Sequence, residues 1–87
     1  MYGIIFSEVI FVDNEYLKER KQIAANITRY RSEKNLSKPK LSEMIDVDDS
    51  HIRKIESAAS YPSLDVIFAI SEVLDVPAYK FFEMEGE

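Results

Sequence analysis

The sequence predicts a mainly α-helical domain of five helices, preceded by an N-terminal β-strand. Three observations lead there. The 87 residues contain two glycines, Gly3 and Gly86, both terminal, so no interior position advertises a glycine turn. The three prolines, Pro39, Pro62 and Pro77, fall near expected helix starts, where a missing N–H does least harm. From Tyr16 onward apolar residues recur at helical intervals, whereas the first twelve residues are dense in β-prone apolar types.

The segment Ile4, Ile5, Phe6, Val9, Ile10, Phe11 and Val12 is expected to be a strand. A lone strand leaves a ladder of N–H and C=O groups unpaired, and no second strand is evident. Pairing with the same segment of another copy is the simplest solution. An extended arm lying across its own domain is the alternative. Residues 1–13 are therefore set apart as an arm, residues 14–83 as the folded domain, and 84–87 as a tail.

Asp13 or Asn14 can cap a first helix running to about Lys34, with an apolar stripe of Tyr16, Ile23, Ile27 and Tyr30. Ser37 is a good N-cap for a second helix, with Pro39 in its first turn. Leu41, Met44 and Ile45 then share one face. Asp46-Val47 breaks the pattern. Asp48 can cap a third helix whose inward residues are Ile52 and Ile55. That helix ends before Tyr61-Pro62. Ser63 caps a fourth, and Asp75-Val76-Pro77 separates it from a short fifth. On the fourth helix Leu64, Ile67, Ser71 and Leu74 form one face. Val66, Ala69, Ile70 and Val73 form a second apolar face that something must cover.

Residues 37–56, SKPKLSEMIDVDDSHIRKIE, thus hold two short helices with a tight joint, the helix-turn-helix arrangement. Around it, residues 23–82 resemble the Cro/CI-type (lambda-repressor-like, XRE) helix-turn-helix domain. The matching residues run from Ile27, Tyr30 and Arg31 through Leu36-Ser37 and Leu41 to Val47, Ile52, Ile55 and Glu56. They continue with Pro62-Ser63-Leu64, Ile67, Ile70 and Leu74, then Val76 and Phe81-Phe82. The resemblance covers about two-thirds of the chain without gaps. It implies a five-helix fold, a prokaryotic or phage source, and an ion pair between Arg31 and Glu56 that sets the angle of the third helix.

The chain departs from that family at its turns. Asp46 stands where glycine is usual between the second and third helices, and aspartate tolerates the left-handed conformation. Asn35 replaces another glycine after the first helix. Ser42 replaces a small alanine, and its hydroxyl can bond back to a carbonyl. Ala58 follows the third helix where glycine is usual. A left-handed alanine costs roughly 1–2 kcal/mol, so a local change of path is expected there.

Composition bounds the rest. Hydrophobic content of 46% argues against disorder. With no cysteine and one histidine, His51, neither a disulfide nor a metal site is expected. The apolar run from Gly3 to Val12 is interrupted by Ser7 and Glu8 and has no basic residue before it. Neither a signal peptide nor a membrane span is expected, and the protein is expected in the cytoplasm. No phosphate-binding glycine loop or nucleophile–base spacing occurs, so no enzyme, cofactor or small-molecule ligand is expected.

The net charge of −5 by itself argues against a nucleic-acid partner. Its distribution argues otherwise. Residues 21–62 carry eight cations and six anions, while residues 63–87 carry one cation and six anions. On the third helix, Asp49, Ser50, Arg53, Lys54 and Ser57 are expected to face outward. The resemblance implies that such residues read base edges, with Arg53 or Lys54 suited to guanine and Asp49 to cytosine N4. Lys38 and Lys40, at the start of the second helix, are expected to meet phosphate. The expected function is a sequence-specific, double-stranded-DNA-binding transcriptional regulator, a repressor acting as a homodimer. Ile4, Phe6, Ile10, Val66, Ile70 and Val73 are the expected dimer contacts. The alternative is a protein-interaction module on the same fold without DNA affinity.

Overall fold

A computed structural model describes residues 16–85. It contains four α-helices and a final 3-10 helix: α1 Leu17–Glu33, α2 Lys38–Met44, α3 Asp49–Glu56, α4 Leu64–Leu74, and the 3-10 helix Ala78–Phe82. The expected strand, the caps Asp13 and Asn14, and the contact residues Ile4, Phe6 and Ile10 lie outside the described residues. Within them, Tyr16 holds the cap position of α1 with no side-chain bond.

The fifth helix expected from the sequence is corrected to the 3-10 form. It starts after Pro77, whose carbonyl accepts from Lys80 N at 3.0 Å, and it stops where Glu83 turns extended. Five residues leave little room for the longer-range bonds of an α-helix.

One core holds the elements together. Ile23 and Ile27 of α1 meet Leu41 of α2, Ile52 and Ile55 of α3, Ile67, Ile70 and Leu74 of α4, and Phe81. Phe81 is fully buried and packs edge-on against Tyr30, with ring centroids 5.9 Å apart. Asn26 is buried beside it, and its Nδ2 donates to the Phe81 carbonyl at 3.0 Å and the Glu83 carbonyl at 2.8 Å. Gln22 Nε2 donates to Asn26 Oδ1 at 3.0 Å. This buried amide is therefore hydrogen-bonded from both ends, as burial of a polar group demands. It pins the C-terminal segment to α1.

Four apolar expectations need correcting. Met44, the last residue of the seven-residue α2, lies at the rim and is exposed. Tyr16 is exposed at the start of α1. Leu64 is exposed because it stands at the first position of α4, ahead of the turn that packs. Ile70 is fully buried within the chain, sharing the stripe of Ile67 and Leu74, and so is withdrawn from the expected partner contacts. Val66 and Val73 remain half-buried at the edge of the core.

All four α-helices end in the same way. Asn35, Asp46, Ala58 and Asp75 have φ of 57°, 59°, 65° and 56°. The next residue's N–H then reaches back to the last turn: Leu36 to Arg31, Val47 to Ser42, Ala59 to Lys54 and Val76 to Ser71, at 2.8–3.2 Å. This is the Schellman closure, and Leu36, Val47 and Val76 supply its accompanying apolar contact with the core. The change of path expected at Ala58 does not occur. Its backbone takes the left-handed conformation, because the reach-back bonds satisfy carbonyls of α3 that would otherwise lack a partner.

Ala58→Gly is accordingly expected to stabilise the domain. Relief of roughly 1–2 kcal/mol of left-handed strain is partly offset by roughly 0.5–1 kcal/mol of glycine entropy. The net gain of about 0.5–1 kcal/mol should raise the melting temperature by a few degrees. A melting temperature that falls would show that Ala58 carries no strain.

Candidate nucleic-acid interface

The joint between α2 and α3 is built from local rules. Ser37 Oγ accepts from Lys40 N at 3.1 Å and caps α2, with Pro39 in the first turn. Ser42 is buried, and its Oγ donates to the Lys38 carbonyl at 2.9 Å. Asp46 makes the left-handed turn. Asp48 stands at the cap position of α3, yet its carboxylate accepts no capping bond; its carbonyl instead accepts from His51 N at 2.9 Å. The expected side-chain cap is corrected on that point. Ile52 and Ile55 anchor α3 to the core.

The end of α3 is fixed by ions. Arg31 Nε donates to Glu56 Oε2 at 2.7 Å and Nη2 donates to Oε1 at 2.9 Å. The Glu56 and Arg31 side chains are 2% and 11% exposed. Thr28 Oγ1 donates to Glu56 Oε1 at 2.9 Å, and Arg31 Nη1 donates to the Leu36 carbonyl. One guanidinium thus joins α1, the loop after it and the last turn of α3. A planar fork on a carboxylate admits little angular freedom. Nothing in the sequence pattern singles out Thr28, although it lies one turn before Arg31 on the same helix face.

The outer surface of α3 carries Ser50, Arg53, Lys54 and Ser57, all exposed, and Asp49, partly so. Arg53 Nε donates to Asp49 Oδ2 at 2.6 Å. The Ser57 hydroxyl donates to the Lys54 carbonyl at 3.2 Å. On α2, Lys40 pairs loosely with Glu43 at 3.4 Å, and Lys38 is half-buried. The structure therefore brings Asp49 and Arg53 into contact, turns Ser57 back on its own helix, and leaves Ser50 and Lys54 facing out. Among the described residues no cluster of histidine and carboxylates could hold a metal ion, and no helix is long and apolar enough to cross a membrane.

The family HTH_3, described as helix-turn-helix, matches residues 27–81. This chain belongs to the HTH_3 family. The N-terminal DNA-binding domain of SinR from Bacillus subtilis superimposes with a TM-score of 0.70 at 31% identity, over 77% of this chain and 99% of that one. SinR, a master regulator for biofilm formation solved in complex with DNA, gives 0.67 at 32% identity, over 70% of this chain and 98% of that one. An HTH_3 family transcriptional regulator from Vibrio cholerae gives 0.69 at 23% identity, which bears on the fold alone. That alignment covers 76% of this chain and 37% of the Vibrio protein. No curated protein matches the sequence. In this HTH_3 chain α2 and α3 form the helix-turn-helix, and one side of α3 carries the exposed Ser50, Arg53 and Lys54.

Proposed function

We propose that this protein is a sequence-specific, double-stranded-DNA-binding transcriptional regulator of the repressor kind, acting in the cytoplasm as a homodimer. The observation that carries the reading is α3 itself. Its inner face is locked into the core by Ile52 and Ile55 and its end by Glu56, while Ser50, Arg53 and Lys54 face out. A helix so held can enter a major groove at a fixed angle, with Arg53 and Lys54 as donors to base edges and Ser50 as an adaptable partner. Lys38 and Lys40 at the start of α2 fall to phosphate. The likeness to a SinR domain solved with DNA supports the same use of the motif.

The leading anions Asp48 and Asp49 favour a second reading, a protein-interaction module that keeps the fold and has no DNA affinity. Salt decides between them. Duplexes selected from a random pool should bind the full chain, with affinity falling steeply between about 50 and 200 mM salt. Indifference to every duplex at low salt would leave the interaction module.

Groove geometry supports the dimeric part of this reading. One α3 spans a few base pairs, and a two-fold pair spaced about 34 Å apart reaches successive major grooves. Residues 1–13 are proposed as the dimerising arm, with the edges of Val66 and Val73 on α4. Leu64 and Phe68, 65% and 58% exposed, add apolar surface to the same helix. Removing residues 1–12 is expected to give a folded helical monomer with weak affinity for a two-fold site. Light scattering that still shows a dimer would move the interface elsewhere.

A further inference from the structure

Asp49 looks like a liability on a DNA-facing helix, since its carboxylate repels phosphate. Its bonding suggests a use. Asp49 and Arg53 lie one turn apart on α3, the acid first, which is the favourable order for such a pair. Arg53 Nε donates to Asp49 Oδ2 at 2.6 Å. The other oxygen, Oδ1, is shielded and takes no donor. Oδ1 is thus closed to a cytosine N4 group, and Oδ2 is already engaged by Arg53.

The same contact leaves Nη1 and Nη2 of Arg53 unused by Asp49. Guanine presents O6 and N7 side by side, and a guanidinium edge meets both at once. Holding Nε selects which edge is presented, the end formed by Nη1 and Nη2. An exposed pair of this kind adds little in water. Against DNA, with water excluded, the same contact strengthens.

We propose that Asp49 is a positioning residue: it grips Arg53 by Nε so that Nη1 and Nη2 address one guanine of the bound site. The proposal rests on the DNA-binding reading above. It carries an unusual sign. Removing Asp49 removes a repulsive charge, so affinity for arbitrary duplex should hold or rise while preference at one base weakens.

The test uses the full chain as wild type, Asp49→Ala, Asp49→Asn, Arg53→Ala and the double variant. Duplexes are the selected site, its single-base variants and a scrambled sequence. In wild type, replacing one guanine should weaken binding about tenfold or more. In Asp49→Ala that penalty should shrink to about twofold, with scrambled-duplex affinity unchanged or higher. Asp49→Asn keeps an acceptor oxygen and should restore part of the preference. Arg53→Ala should erase preference at the same position, and adding Asp49→Ala to it should change the preference no further. A full guanine penalty in Asp49→Ala would overturn the proposal and make Asp49 a helix-end anion only. An equal loss at every base position would overturn it too, by pointing to a damaged helix. Both of those outcomes leave the DNA-binding reading in place, whereas a wild type that ignores duplex removes reading and proposal together.

Discussion

Glu56→Ala is expected to be among the most damaging single changes in the domain. Glu56 is 2% exposed and takes three donors: Arg31 Nε, Arg31 Nη2 and Thr28 Oγ1. Truncation leaves the Arg31 guanidinium nearly buried, with the Leu36 carbonyl as its remaining bond. Breaking one side of a buried pair costs about 3–5 kcal/mol, because the surviving charge stays desolvated. A domain of this size holds about 5–15 kcal/mol in all. Melting should therefore shift by tens of degrees, or the chain should fail to fold. Glu72→Ala, on an exposed position of α4, is the control and should stay within about 0.5 kcal/mol. Equal melting temperatures for the two variants would show that the ion pair carries no weight. The pair is no proof of added stability over an apolar substitute. Its worth lies in geometry, since it ties the last turn of α3 to α1.

The second large effect concerns binding. Arg53→Ala and Lys54→Ala are each expected to weaken a selected site by about 1–3 kcal/mol, and together by about a hundredfold or more in Kd. Both side chains are exposed, so the melting temperature should barely move. Salt dependence separates base readers from phosphate contacts. Loss of Arg53 or Lys54 should flatten preference at one position each. Loss of Lys38 or Lys40 should instead weaken all sequences alike and reduce the salt slope by about 1. A double variant that binds as tightly as wild type would take α3 out of the groove.

The helix-turn-helix was legible because its signals agree. Ser37, Pro39, Leu41, Ile52 and Ile55 each point to the same two helices, and the Arg31–Glu56 contact falls where the family resemblance implies one. The fourth helix was harder for a physical reason. It is apolar nearly all round, so periodicity selects no single buried stripe. Periodicity places Leu64 on the core face and Ile70 on a second face that needs a cover, whereas Leu64 is exposed and Ile70 is buried within the chain. The burial of Asn26 is invisible to sequence because a polar residue beside an apolar stripe reads as surface until a distant segment comes back to meet it. Asp49 and Arg53 stand at a spacing that announces an ion pair. Their bond to each other constrains what either can offer to DNA. Ala58 is the opposite lesson: intrinsic cost argued against the left-handed turn, and the hydrogen bonds that close α3 outweighed it.

The four glycine-free helix ends have a consequence for the chain before it folds. A glycine at each joint would relax the native turn but would also enlarge the set of conformations open to the denatured ensemble. With Asn35, Asp46, Ala58 and Asp75 in those places, and no glycine between Gly3 and Gly86, the unfolded polypeptide is comparatively stiff. Part of the native strain is thus matched by a smaller entropy lost on ordering. The asparagine and aspartate joints strike that balance closely, since their side chains tolerate positive φ. For them the search for structure begins with the turns already restricted, and the helices they separate have fewer ways to continue into one another.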